Sequence, residues 1–181
     1  MNGILNWWDG VELWLSGLSF VVQTIIVMPV VLALAYGLAV LLDVALDSDF
    51  TSNRRLYFCF SEPGSGADQG KNSTALARAR LSQDDRRLED LQVIFSQRPK
   101  IASRLHFGCR IVEGMKDGRP DGTLFLTLAE RFQRMQEAQT LDNHHGKVVR
   151  VGKDGAIPKD NPFVGKAGAL PEIWSYGHRN S

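Results

Sequence analysis

Past residue 53 the chain is cut into short β-prone runs by tight-turn pairs, and this punctuation limits its fold more than any other feature. Leu56–Phe60, Leu91–Phe95, Arg110–Val112, Leu124–Leu128, Val148–Val151 and Ile173–Tyr176 are rich in aliphatic, β-branched and aromatic residues, which suit a half-buried pleated surface. Asp117-Gly118, Asp121-Gly122 and Asp154-Gly155 supply turns, because Asp and Gly accept the positive φ of a tight hairpin loop. Pro63-Gly64-Ser65-Gly66 reads only as a loop. Ser73–Leu81 alternates as a strand does, although its alanines and arginines also favour a helix. Many short strands at regular spacing predict an all-β sandwich, barrel or propeller, and periodicity does not choose among them.

The N-terminal part follows another rule. From Leu18 to Leu42 the only polar side chains are Ser19, Gln23, Thr24 and Tyr36. A helix of that length reaches about 37 Å, enough to cross a hydrocarbon core of about 30 Å. Pro29 is tolerated there because membrane helices absorb such breaks. Trp7, Trp8, Val11, Trp14, Leu15 and Leu18 recur at helical spacing and predict an interfacial lead-in. A cleaved signal peptide carries a basic n-region, which this N-terminus lacks, so an uncleaved anchor is the preferred reading. The expected organisation is a lead-in over 1–17, a transmembrane helix over 18–42, a polar linker over 43–53 and a β-rich part over 54–181.

Charge divides the chain at the same place. Five of the 20 acidic residues and none of the 21 basic ones precede Arg54, which leaves the remainder basic by six. Acids and bases are interleaved there, which fits a solvated surface and argues against a nucleic-acid partner. Cys59 and Cys109 show neither Cys-x-x-Cys nor zinc spacing and read as buried core thiols, with a disulfide as the alternative an oxidising compartment would allow. Ser65–Asn72 almost spells a phosphate loop, but Ser65 replaces its first glycine and Asn72 its magnesium-binding hydroxyl, so a hairpin tip is expected. His144 and His145 are adjacent and would point to opposite sides of an extended chain, which argues against a shared metal.

Two runs carry candidate chemistry. In Leu105-His106-Phe107-Gly108-Cys109-Arg110-Ile111-Val112 a histidine offers a base near neutral pH, beside a glycine that permits close backbone approach. In Trp174-Ser175-Tyr176-Gly177-His178-Arg179-Asn180 a guanidinium stands next to an amide, a pair suited to a planar carboxylated partner. Between them lie Pro120-Asp121-Gly122-Thr123-Leu124-Phe125-Leu126-Thr127-Leu128, His145-Gly146-Lys147-Val148-Val149-Arg150 and Pro158-Lys159-Asp160-Asn161-Pro162-Phe163. In content and order these motifs resemble the pyrroloquinoline quinone (PQQ)-dependent soluble aldose sugar dehydrogenases, the glucose/sorbosone dehydrogenase family. The resemblance runs from about Ser48 to Asn180, with residues 1–47 outside it.

The resemblance implies a six-bladed β-propeller, of which this chain would supply an incomplete segment, preceded by the transmembrane helix. It assigns His106 as the base that takes the sugar C1 hydroxyl proton while hydride passes to the quinone. Arg179 and Asn180 match the family's cofactor-contacting pair. Arg134 and Gln139 fall in the polar stretch, with Glu130 and Arg131, where the family places further active-site side chains. Cys109 stands where the family usually has a second glycine, and His178 reads as structural. PQQ and calcium are the implied cofactors, with the calcium ligands and further PQQ-holding bases downstream in the family, so no metal ligand is expected in this chain. The expected partners are an aldose and, through residues 18–42, a lipid bilayer, with self-association through open propeller edges. Arg54 and Arg55 would weakly put the β-rich part in the cytoplasm, but the family works outside it, and a membrane-anchored extracytoplasmic domain is the expectation. The segment would have impaired activity as a lone chain. Two other readings compete, a membrane-anchored module without chemistry and a joined or shortened gene product without native activity.

Overall fold

Short apolar runs bounded by Gly, Asp and Pro fold as strands because only pairing satisfies their backbone groups while both faces pack. A computed structural model describes residues 44–179. The strands are β1 (Val44–Leu46), β2 (Arg55–Pro63), β3 (Asn72–Leu81), β4 (Leu88–Ser96), β5 (Gly108–Lys116), β6 (Arg119–Leu128), β7 (Lys147–Gly152) and β8 (Ile173–Tyr176). They form two four-stranded antiparallel sheets in sequential order, β1-β2-β3-β4 and β5-β6-β7-β8. The β-rich expectation is therefore met. The expected transmembrane helix and its lead-in lie outside the described residues. Among the described residues no helix is long and apolar enough to cross a membrane.

Residues 43–53, expected as a linker, carry structure of their own. Val44, Ala45 and Leu46 pair with Phe58, Tyr57 and Leu56, and one helical turn, α1 (Phe50–Asn53), leads into β2. Asp47 ties this entry down. It is only 5% exposed, and it accepts hydrogen bonds from the Tyr57 hydroxyl at 2.7 Å, the Asp49 N–H at 2.9 Å and the Asn53 amide at 3.1 Å. The Lys153 ammonium, in the turn just past β7, lies 3.1 Å away. Burial alone would raise its pKa, but these donors outweigh burial and hold the carboxyl well below the usual range.

Ser73–Leu81, open between helix and strand, is a strand. It is paired with β2 along its whole length and with β4 on the other side, and Ala75, Ala77 and Ala79 are buried. Helix propensity here yields to tertiary pairing. Tyr57, Leu76 and Phe95 of the first sheet join Ile111, Leu124, Leu126, Leu128, Val149 and Val151 of the second in one core. The Asp117-Gly118 pair makes the expected two-residue hairpin between β5 and β6, with φ of +51° and +73°. Asp121-Gly122 does not turn the chain. It lies inside β6, opposite a register shift between Glu113 and Met115, where the Asp121 carboxylate is taken by the Thr123 N–H and hydroxyl and by Arg150.

The cysteines are not free core thiols. Cys59 on β2 and Cys109 on β5 form a disulfide across the two sheets, with Cα atoms 6.3 Å apart. Spacing alone did not reveal this, because contact between the residues depends on how two sheets pack.

Candidate active site

Three segments converge at one end of the sheets. The first links β4 to β5 and carries His106, the second leaves β6 at Ala129, and the third leaves β8 at Gly177. The Glu130 N–H donates to the Arg179 carbonyl at 3.1 Å, and the Ala129 N–H to the Phe107 carbonyl at 3.3 Å, so the second segment lies between the other two.

At their meeting point the His106 Nδ1 stands 2.9 and 3.0 Å from the two carboxylate oxygens of Glu130. Glu130 is 1% exposed, whereas the His106 side chain keeps 24% of its surface. An ionised carboxylate only accepts, so Nδ1 is the donor of this contact, and in a neutral imidazole the lone pair is then on Nε2. The Phe132 ring meets the imidazole edge to face at 5.4 Å, and its N–H bonds Glu130 Oε2 at 3.3 Å. Arg179 Nε lies 3.8 Å from Glu130 Oε1, with 70% of the side chain exposed. Imidazole, buried carboxylate and exposed guanidinium thus meet at one edge of the fold.

Backbone geometry here is unusual. His106, Arg131 and Phe132 have φ of +47°, +61° and +63°, a region that non-glycine residues enter only when their surroundings impose it. Arg131 supplies that constraint. Its guanidinium is fully buried and donates to the Leu105 carbonyl at 3.1 Å, the Ser103 carbonyl at 2.6 Å and Asn72 Oδ1 at 2.5 Å. It also stacks 3.8 Å over the Phe107 ring. Four contacts within residues 72–107 fix the loop that presents His106. Gly108 has a local reason to be glycine: with φ +72°, a Cβ there would lie 2.7 Å from the Ala129 nitrogen. The close approach is to β6, where a ligand was expected.

The other candidates are spread around this centre. Arg134 faces the exposed side and bonds Glu137 at 2.8 Å. Gln139 lies beside the third segment, its amide 3.5 Å from where a Gly177 Cβ would sit. Asn180 lies outside the described residues. Buried His144 and His145 face different partners, as their adjacency suggested. His144 Nδ1 accepts the Arg98 N–H at 3.1 Å, and His145 Nδ1 meets Glu137 at 2.5 Å. Burial lowers the pKa of both imidazoles. His178 Nε2 bonds the Ser175 hydroxyl at 2.8 Å, a structural role. Among the described residues no three metal-ligating side chains cluster.

Glu130 and Arg131 fall in the polar stretch of the sequence, where no individual role was expected of them. An acid and an arginine directly after a buried strand were the available signal. The donor set fits a planar, multiply carboxylated quinone on its polar side, since an exposed guanidinium stands beside a histidine whose Nε2 is free of the Glu130 contact.

Comparison with known proteins gives these features a context. The sequence profile of the family "Glucose / Sorbosone dehydrogenase" matches residues 16–181, beginning well upstream of Ser48. Aldose sugar dehydrogenase YliI of Escherichia coli (strain K12) is 46% identical over 146 residues, covering 81% of this chain and 37% of that protein. Quinoprotein glucose dehydrogenase B of Acinetobacter calcoaceticus is 29% identical over 179 residues, covering 88% and 36%. The chain thus spans little more than a third of the length of these relatives. The crystal structure of the soluble aldose sugar dehydrogenase of Escherichia coli in the apo form superposes with a TM-score of 0.67 at 44% identity, covering 76% of this chain and 37% of that one. The PQQ-bound aldose sugar dehydrogenase of Streptomyces coelicolor gives 0.57 at 26% identity, covering 76% and 36%.

Proposed function

The chain belongs to the glucose/sorbosone dehydrogenase family, and on that premise we propose that it supplies the proton-abstracting side of a PQQ-dependent aldose dehydrogenase built as a six-bladed propeller. The observation that carries this reading is the His106–Glu130 pair with Arg179 beside it. PQQ, when bound, accepts the hydride from the sugar C1. His106 Nε2 takes the proton of the C1 hydroxyl as a positioned general base. Glu130 fixes the tautomer through Nδ1–H and stabilises the imidazolium that forms, as the carboxylate of a catalytic triad does. Arg179, with Asn180 next to it, holds a quinone carboxylate through charge-assisted hydrogen bonds. Gln139 flanks that contact, and Arg134 stands further out.

We also propose that the apolar stretch from Leu18 to Leu42 anchors the protein in a lipid bilayer, with the β-rich part on the extracytoplasmic side. The cross-sheet disulfide supports the compartment, since such bonds persist where thiols are not kept reduced.

Titration of the purified chain with PQQ and calcium, followed by an aldose, tests the first proposal. Saturable binding and sugar-dependent reduction of the quinone, abolished by His106→Ala, are expected. Absence of binding overturns the reading and leaves a module without chemistry.

A further inference from the structure

Lys147 is the one lysine among the described residues whose side chain is wholly enclosed, at 0% exposure. Its ammonium touches no carboxylate within ion-pair distance among those residues. It donates instead to three backbone carbonyls, those of Glu137 at 2.9 Å, Ala138 at 3.2 Å and His145 at 2.5 Å. Removing a cation from water is costly unless strong acceptors replace the solvent, and an apolar side chain would fill the same space without that cost.

The arrangement makes sense from what hangs on the cage. The Ala138 carbonyl also accepts the Gly177 N–H at 2.9 Å, and the Gly146 carbonyl, one residue before Lys147, accepts the His178 N–H at 3.1 Å. Gly146 itself is packed tight there, because a Cβ would lie 2.3 Å from the His178 carbonyl. Lys147 opens β7 and pairs with Leu128 on one side and Tyr176 on the other, the last residues of β6 and β8. One residue further along those strands' exits come Ala129–Glu130 and Gly177–Arg179. The ammonium therefore sits at the root of both segments that flank the site.

We propose that Lys147 is a positioning residue for the cofactor clamp: its ammonium gathers three carbonyls into a fixed cage from which Gly177 is suspended directly and His178 through the adjoining Gly146 carbonyl, and so holds Arg179 where it meets a quinone carboxylate. This rests on the function proposed above for Arg179. Enclosure, not the carbonyls, pushes the Lys147 pKa down to about 8, against the opposing pull of Asp142 and Glu137.

The test compares wild type with Lys147→Met by amide hydrogen exchange and by PQQ titration, on the full chain with calcium. In the variant, exchange at Gly177 and His178 is expected to accelerate at least about tenfold. PQQ affinity should fall by a similar factor, while turnover at saturating PQQ holds within about threefold. A folded variant with unchanged exchange at both amides overturns the inference. If wild type binds no PQQ but exchange still rises, the positioning stands and the functional reading falls. If the variant does not fold, wild type decides: the Gly177 and His178 amide resonances must shift with the same midpoint as the Lys147 Nζ, near 8. The other titratable groups near that ammonium are Glu137, Asp142 and His145; hydrogen bonds lower the Asp142 carboxyl and burial lowers the His145 imidazole. Resonances that do not follow Nζ overturn the proposal.

Discussion

Glu130 grips the His106 imidazole with both carboxylate oxygens, at 2.9 and 3.0 Å from Nδ1, and leaves Nε2 free of that contact. The pair is built to fix a tautomer. Glu130→Gln preserves shape but lets the amide present either an oxygen or an NH2 to Nδ1, so the productive tautomer is no longer enforced. If the proposed chemistry holds, kcat/KM for aldose oxidation should fall by about 10²- to 10⁴-fold, the range that one positioned acid or base contributes. PQQ affinity should change little. Steady-state kinetics beside a PQQ titration check this, and equal loss in both would mean that Glu130 serves binding.

Asp47 makes a prediction about acid stability. Its folded pKa is depressed by the Asp49 N–H, Tyr57, Asn53 and Lys153 despite burial. A depressed carboxylate contributes stability that is fully present above its unfolded pKa and is lost as pH falls toward the folded one. Asp47→Asn should therefore lower the unfolding free energy at pH 7 by about 1.5–3 kcal/mol, the usual worth of hydrogen bonds to a charged group. The difference should shrink steadily below about pH 4. Urea unfolding of both proteins between pH 7 and pH 3 measures it, and a constant gap would argue against the linkage.

What the sequence disclosed depended on whether the signal was local. The β5–β6 hairpin was legible because Asp117-Gly118 and its positive φ values are a property of two residues. Asp121-Gly122 shows the same letters within a strand, because Arg150 reaches across from β7 to take the Asp121 carboxylate. The Cys59–Cys109 bond depends on the packing of one sheet on another, which no spacing encodes. His106 was recognisable through its motif. Its partner Glu130 was not, since 24 residues and a whole hairpin separate them. β1 was read as linker because its three residues are strand only by virtue of pairing with β2.

Arg131 should prove less tolerant of change than its sequence suggests. Its guanidinium satisfies Leu105, Ser103 and Asn72 at once and stacks on Phe107, a set that a single ammonium does not reproduce. Arg131→Lys is expected to cost about 2–4 kcal/mol, comparable to disturbing a buried charged network. The loop from Ser103 to Phe107 should loosen with it. Thermal unfolding reads the first effect. Hydrogen exchange at the Leu105 N–H, which donates to the Ser103 hydroxyl at 3.2 Å, reads the second, and an unchanged exchange rate would separate the two.

The disulfide closes a stretch of 50 residues between β2 and β5. By the chain-entropy argument a loop of that length stabilises the fold by about 4 kcal/mol, so reduction with a dithiol should lower the urea midpoint markedly. Cys109 adds a second expectation, because it holds φ at +91°. A side chain there is strained and glycine is not. With Cys59→Ala as a common background, Cys109→Gly should be about 1 kcal/mol more stable than Cys109→Ala, the order of a left-handed backbone penalty. Denaturation of the two double variants under one set of conditions gives that difference directly. Equal stabilities would mean that the segment from Gly108 to Arg110 relaxes once the sulfur bridge is gone, in which case the disulfide itself imposes the positive φ.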